Sequence, residues 1–352
     1  MKKTKENSNQ LFIYNLSTDL DNSVLAFTQD WINAFALKVG QVDVYSTHVG
    51  KFNILGNVRV HETGGGNWWM RLRALIRLLI SSARVLRNRK NSYVFHHMSV
   101  KTAIFPGLIY RIARVPQILW YSHATVTPEL RLATKLVDKV VTSVMNAFPI
   151  PSLKVVLVGH GLKFSDGLNN ISLPNSRSGI VYLGRIAKIK NLEYLLLEMN
   201  RVNFLGTIDF IGPIANFRYQ ESLRKIASNG KYKLSFVPEI PHTQIFSTLS
   251  NYDFCYTGTP NSVDKATLEA TASGCILLSE MKPSIQLTGL DLAWKEYAIR
   301  SDLSVGDQYL AIQQLEMNEV EAMRAMTAEA TIAMNEVNST ISKILDEFRI
   351  IR

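Results

Sequence analysis

Arg185 and Lys190 stand five residues apart in VYLGRIAKIKN (181–191), directly after the apolar run GIVYLG (179–184) and before the helical stretch LEYLLLEM (192–199). Two cations at the carboxyl end of a strand suit a diphosphate, Arg through a bidentate fork and Lys as a point charge. Gly184 between strand and cations would let backbone and ligand approach closely. Taken alone, the segment reads equally as a loop with two solvated cations. A second stretch, YTGTPNSVDKATLEATASG (256–274), ends a strand, passes through small and polar residues and enters a helix near Ser262 to Lys265. The start of that helix would aim free backbone N–H groups and the positive end of its dipole at an anion. Glu269, about one turn deeper, could accept hydrogen bonds from paired sugar hydroxyls; an acid there is also favourable on dipole grounds without any ligand.

The histidines are the next candidates. His123 lies in WYSHA (120–124) at a predicted strand end, and His160 lies between Gly159 and Gly161 at the end of another. His96 and His97 close YVFHH (93–97), with no partners at zinc spacing. Asp19 and Asp21 in TDLDN form a bare Asp-x-Asp, too common a pattern to specify a metal, and none is expected.

Short β-branched and aromatic runs alternate with helical stretches on both sides of these residues. LFIYN (11–15), VDVYS (42–46), YVFHH (93–97), QILWY (117–121), KVVTS (139–143) and KVVLVG (154–159) come first. GIVYLG (179–184), TIDFIG (207–212), KLSFV (233–237), YDFCYT (252–257) and CILLS (275–279) follow. Strands separated by helix-length segments predict parallel sheets built from βαβ units. The Asn-, Ser- and Gly-rich stretch KFSDGLNNISLPNSRSG (163–179) reads as the linker between two α/β domains, 1–165 and 179–352, with 166–178 joining them. From about Ser304 the chain has helical composition, which predicts helices that close the second domain or cross back to the first.

With 352 residues, 47% hydrophobic and 19% charged, the chain suits two folded domains. No apolar run reaches the ~18 residues of a membrane span, and MKKTKENSNQ is too polar to begin a signal peptide, so a cytoplasmic protein is expected. Cys255 and Cys275 sit in apolar runs and read as buried free thiols. The net charge of +10 is unevenly divided: residues 1–165 carry 21 Lys and Arg against 8 Asp and Glu, and the rest carry 18 against 21. Such asymmetry points to an anionic partner for the first half. Nucleic acid is not favoured, since no aromatic-interleaved or helix-turn-helix signature accompanies the charge.

In this order, GRIAKIKN (184–191), DFIGP (209–213), FVPEIP (236–241) and LEATASG (268–274) resemble the donor-binding half of retaining glycosyltransferases of the GT-B fold, glycosyltransferase family 4. WYSHA, KVVTS, KVVLVGHGLKF (154–164) and SVLAFTQDWINAFA (23–36) resemble the segments of its acceptor half. The resemblance implies an α/β GT-B architecture, two Rossmann-like parallel-sheet domains facing across a cleft. It implies a metal-independent, retaining, hexosyltransferase-type enzyme that moves sugar from a nucleotide-sugar to an acceptor hydroxyl, on a lipid-linked or cell-envelope glycan. Arg185 and Lys190 match its Arg-x4-Lys pair, which holds the diphosphate, and Glu269 matches the glutamate that binds the ribose. Gly212 and Pro213, together with Asn261, Ser262, Val263, Asp264 and Lys265, fall in its donor-binding segments. His123 matches a histidine that faces the sugar, His160 falls on the acceptor side, and Asn22 and Ser23, also on that side, depart from the pattern by standing where the family's first loop often carries glycines. The sequence departs from the pattern at Asn261, where the family carries another glutamate, and Asp264 is the nearest acid that could compensate or else cap the helix.

GNWWMRLRALIRLLISSARVLRNRK (66–90) has an apolar stripe of Leu72, Leu75, Ile76, Leu79, Ile80 and Leu86 beside Arg73, Arg77, Arg84 and Arg87, preceded by Trp68 and Trp69. This is the composition of an interfacial membrane helix, and equally of a core helix with a basic outer face. The basic first half favours an anionic membrane surface, with the protein peripheral on its cytoplasmic side. Two rivals stay open: a sugar-nucleotide epimerase of the same fold, and a non-catalytic subunit. Sugar, base, acceptor and oligomeric state are not legible.

Overall fold

The computed structural model describes residues 9–22, 25–64, 68–123, 125–144, 147–164, 177–241, 244–260 and 263–352, without the side chain of Arg71. The chain divides into two compact units, residues 1–162 with 336–352, and residues 163–335.

The first unit is built on seven parallel strands: β1 (Gln10–Thr18), β2 (Gln41–Val49), β3 (Val58–Glu62), β4 (Ser92–His97), β5 (Gln117–Trp120), β6 (Lys139–Thr142) and β7 (Val155–Leu157). Their order is β3-β2-β1-β4-β5-β6-β7. Ile13 of the central β1 pairs with Val44 on one side and Phe95 on the other. A sheet covered on both faces needs apolar side chains in both directions, which is why LFIY is a continuous run. Leu11 and Ile13 face α1 (Thr28–Ala36) and the C-terminal helix, where they pack with Trp31, Phe35, Ile341, Ile344 and Phe348. Phe12 and Tyr14 face α2 (Trp68–Arg87) and α3 (Val100–Ile112), where they pack with Val85 and Tyr110. Helix α4 (Pro128–Leu136) starts on Thr127, whose hydroxyl accepts the Leu130 N–H at 3.1 Å. Strand β3 has no counterpart among the runs read from the sequence. It pairs on one side only and alternates apolar with polar residues (VRVHE), so it lacks the apolar run that marks its neighbours.

His96 and His97, on opposite faces of β4, are both buried, which pushes their pKa values down to about 3. They are packed into aromatic surroundings, His96 against Tyr14 and His97 against Trp31 and Trp120. Folded imidazoles that resist protonation leave the unfolded chain to take the protons. Stability is therefore complete above pH 6.5 and is lost as pH falls from 6.5 toward 3, by about 1.4 kcal/mol per pH unit per histidine. Denaturant titrations at pH 7 and pH 5 are expected to differ by about 4 kcal/mol for the pair, and a His96→Gln, His97→Gln variant should lose most of that difference.

The second unit holds five parallel strands, β8 (Ile180–Leu183), β9 (Thr207–Ile211), β10 (Lys233–Val237), β11 (Phe254–Tyr256) and β12 (Ile276–Leu278), in the order β10-β9-β8-β11-β12. Its helices are α5 (Leu192–Arg201), α6 (Phe217–Ala227), α7 (Ile245–Leu249), α8 (Lys265–Ala272), α9 (Lys282–Leu287), α10 (Leu290–Glu296), α11 (Val305–Gln313) and α12 (Met317–Asn335). Leu192, Leu195, Leu196 and Met199 set one face of α5 into a core with Tyr182, Ile208 and Phe210. The buried Arg324 on α12 donates to the carbonyls of Asp253 and Gly274 and pairs with the Asp253 carboxylate at 2.8 Å, tying the helix to the entries of β11 and β12. Cys255 and Cys275 are buried free thiols, as expected. The chain then returns to the first unit as α13 (Val337–Ile351), where the Val337 N–H donates to the Leu162 carbonyl at 2.8 Å.

Candidate functional site

The order of the second sheet reverses at β8: β9 and β10 lie to one side, β11 and β12 to the other. Loops leaving the carboxyl ends of β8 and β11 diverge at such a point and leave room for a ligand. The two stretches singled out by their chemistry are the loops that follow β8 and β11.

The β8 loop is held from its other flank by the loop after β9. The Gly184 N–H donates to Ile211 O at 2.9 Å, Ile186 N–H to Pro213 O at 2.9 Å, and Ala215 N–H to Ile186 O at 3.0 Å. Gly212 adopts φ 136°, and a Cβ there would run into the Gly184 carbonyl. Gly212 and Pro213 thus act here through backbone that fixes where Arg185 leaves the sheet. Residues Lys188–Lys190 form a single 3₁₀ turn, and Asn191, left-handed at φ 52°, redirects the chain into α5. The β11 loop packs on that turn: Tyr256 donates to Asn191 O at 2.8 Å, and a Cβ on Gly258 would strike the Tyr256 hydroxyl and the Lys190 carbonyl.

Lys190 Nζ lies 2.7 and 2.8 Å from the two carboxylate oxygens of Asp264 and 3.2 Å from Thr259 Oγ1, and Thr259 donates to Asp264 at 2.7 Å. This changes two readings. Asp264 occupies the N-cap position of α8 but makes no side-chain cap, because Lys190 and Thr259 hold its carboxylate. Lys190 in turn is presented to a carboxylate of its own chain, and an arriving diphosphate must share or displace it. Arg185 is exposed and has no carboxylate partner among the described residues. It lies near the same cluster: burial first, and then the charge of Asp264, push the Tyr182 phenol above its usual range, while Arg185 acts in the opposite sense. Tyr182 also donates to the Arg185 carbonyl at 3.0 Å.

Glu269 is 4% exposed, and Lys265 Nζ stands 3.3 Å from its Oε1, one helical turn away. Lys265, placed among donor ligands by the sequence, therefore also neutralises the acid beside it. Val263 is buried ahead of the helix. Asn261 and Ser262 lie outside the described residues. Thr259, Tyr182 and Asn191 were not singled out from the sequence; Thr259 becomes significant only when the fold lays its loop on Lys190.

In the first unit, His123 follows β5 and is exposed, with Nδ1 accepting the Thr125 N–H at 3.1 Å. His160 follows β7 and is half-buried, next to Gly161, whose carbonyl accepts from Trp31 Nε1 at 2.7 Å. Asn22 follows β1, and its side chain accepts the Leu25 N–H at 2.8 Å, capping the turn that leads to α1. All three stand at the carboxyl edge of the first sheet. Ser23 lies outside the described residues. No group of three His, Cys, Asp or Glu able to hold a metal occurs among the described residues.

Helix α2 is inverted relative to an ordinary amphipathic helix. It turns Ser81, Ser82 and Val85 to the sheet, with Ser81 bonded to Tyr14 at 2.7 Å and Ser82 to Tyr110 at 3.2 Å. Leu72, Leu75, Ile76, Leu79 and Ile80 are exposed, as are Trp68 and Trp69, stacked 3.6 Å apart. Arg73 is exposed, and Arg77 is half-buried with its guanidinium on the Glu62 carbonyl. Among the described residues no helix is long and apolar enough to cross a membrane.

No family profile and no curated protein sequence matches the chain. Solved structures match over nearly its whole length. A glycosyltransferase from Rickettsia africae ESF-5 shares 10% identity at TM-score 0.65, covering 97% of this chain and 98% of the other. Anabaena Alr3699/HepE, solved in complex with UDP and glucose, shares 10% at TM-score 0.66, covering 97% and 100%. The lipopolysaccharide outer core galactosyltransferase WaaB, in its apo form, shares 10% at TM-score 0.63, covering 97% and 99%. The fold is thus that of GT-B glycosyltransferases, with two parallel-sheet α/β domains.

Proposed function

We propose that this protein is a family 4, retaining glycosyltransferase that moves a sugar from a nucleotide-sugar, with UDP-sugars the first to test, to a hydroxyl of a lipid-linked or cell-envelope glycan. The observation that carries the reading is the Lys190–Asp264–Thr259 cluster beside Arg185 at the reversal point of the second sheet. In the proposed reaction the bond from the anomeric carbon to the diphosphate oxygen breaks and a bond to the acceptor oxygen forms on the same face. The acceptor proton passes to the departing diphosphate. Arg185 and Lys190 neutralise its growing charge, Glu269 holds the ribose, and His123 positions the sugar. Fixed charges in place before the reaction are the largest contribution such a site can make. No metal is assigned a step. The exposed apolar and indole face of α2 supports peripheral docking on an anionic membrane, since an outward stripe of this kind has no use on a solvated helix.

The test is a thermal-shift screen of UDP-, GDP-, ADP- and dTDP-sugars, followed by transfer assays with the donor that binds. One of them should raise the melting temperature as ligand saturates the native state; a flat response to all four would reject the reading, and conversion of donor without acceptor would identify an epimerase. Glu269→Gln removes one charge and keeps the shape of a buried side chain. It is expected to weaken binding of that nucleotide by about tenfold or more, the loss of charge-assisted hydrogen bonds, as read by calorimetry.

A further inference from the structure

A recess of about 1000 Å³ opens at the amino edge of the first sheet. Its wall carries Arg89 and Lys90 from the turn before β4, Arg111 from the last turn of α3, Arg114 just beyond it, and the acid Asp138. Arg111 and Asp138 pair at 2.8 Å. Arg89, Lys90 and Arg114 have no carboxylate partner among the described residues, which leaves the recess strongly positive. Nothing in the proposed transfer uses it: the diphosphate cluster belongs to the other unit, at the carboxyl edge of the other sheet.

An apolar groove lies further along α3 from the recess. That helix exposes Phe105 (80%), Leu108 and Ile112 (76%), a second outward stripe beside that of α2. Between the two helices lies a groove of about 410 Å³ lined by Leu75, Leu79, Phe105 and Ile109, with Lys101 at its rim. Ile109 lines the groove and Ile112 lines the recess, so a single turn of helix, about 5 Å, separates them.

We propose that groove and recess together seat one anionic phospholipid of a bilayer, an acyl chain between α2 and α3 and the headgroup phosphate among Arg89, Lys90 and Arg114. The proposal rests on the peripheral-membrane reading and adds to it a second helix and a headgroup site. A nucleic acid or a soluble nucleotide would use the cations and leave the groove empty. A protein partner would bring a core depleted of charge against a surface where charge and apolar area alternate within one turn. A lipid uses both, and the stacked Trp68 and Trp69 are of the type that settles at headgroup level.

The experiment is flotation of the full chain with vesicles of phosphatidylcholine alone and of phosphatidylcholine with phosphatidylglycerol. Wild type should bind the second and not the first. Arg89→Gln with Arg114→Gln should lower that partition about thirtyfold, the effect of two cations at an anionic surface. Phe105→Ser with Ile112→Ser should lower it comparably at every salt concentration. The thermal shift given by UDP, which reads the other unit, should be unchanged in both variants. Wild type that floats with neither vesicle would reject the membrane reading itself. Wild type that floats, with both variants floating equally, would reject only the lipid seat. A melting shift of wild type by inorganic phosphate, absent in the Arg variant and unaccompanied by vesicle loss, would assign the recess to a soluble phosphate and overturn the proposal. Self-association abolished by the Phe105 and Ile112 changes would give the face to a second copy and overturn it too.

Discussion

Lys190→Ala is expected to lower sugar transfer by about 10²–10³-fold, the effect of removing one preorganised group that faces developing negative charge. The side chain is held in place before any donor arrives, with Asp264 at 2.7 Å and Thr259 at 3.2 Å, so its charge already stands where a diphosphate that shares or displaces the carboxylate would meet it. The fold should survive the change. Asp264 is a quarter exposed and water can replace the ammonium, which limits the stability cost to about 1 kcal/mol. Arg185→Ala should lower transfer by a similar factor and weaken donor binding more, since the guanidinium is exposed and free of an internal carboxylate among the described residues. Single-turnover transfer, beside a denaturant melt of each variant, makes the measurement. Full turnover in both would remove the diphosphate assignment and with it the proposed function. Asp264→Asn separates two roles for that acid. If it only occupies Lys190 at rest, UDP should bind more tightly; if it works at the donor sugar, transfer should fall while UDP binding holds.

The second large effect is on the scaffold beneath those cations. Gly212→Ala should destabilise the second unit by about 3 kcal/mol, which corresponds to a fall of roughly 6–12 °C in its melting temperature. A φ of 136° is poorly accessible to an L-residue, and the atom that a Cβ would strike is the backbone carbonyl of Gly184, which cannot rotate away. Relief requires parting the loops after β8 and β9, which the bonds of Gly184 to Ile211 and of Ile186 to Pro213 hold together. Arg185 leaves the sheet between those bonds, so the surviving fraction should also bind UDP less well. Gly56→Ala is the control, with nothing within 4 Å of the added carbon, and should stay within about 0.5 kcal/mol of wild type.

Much of the architecture is legible because parallel strands buried on both faces are built around apolar runs, LFIY in β1, YVF in β4 and IVYL in β8. The edge strand β3 escapes for the complementary reason: pairing on one side leaves it free to carry Arg59, His61 and Glu62. The site divides in the same way. Arg185, Lys190 and Glu269 are visible as charges placed against strand ends and a helix start, where apolar neighbours fix the register. What Lys190 touches is not visible, because Asp264 lies 74 residues away and is joined to it only where the order of strands reverses.

Helix α2 shows where local pattern stops. Its sequence determined that a helical, amphipathic segment lies within residues 66–90, observed as Trp68–Arg87, since spacing alone sets which side chains share a face. It left open which face meets the sheet, and apolar-inward is the ordinary answer. Tyr14 and Tyr110 decide it otherwise. Their buried hydroxyls bond each other and also Ser81 and Ser82, so the face of the helix that meets this polar cluster is the serine face and the leucines lie outward. The sequence by itself therefore determined the elements and the charges they carry, both properties of residues near one another in the chain. The tertiary structure alone decided which charge neutralises which and which apolar face is left for a partner, because those depend on groups brought together from distant elements.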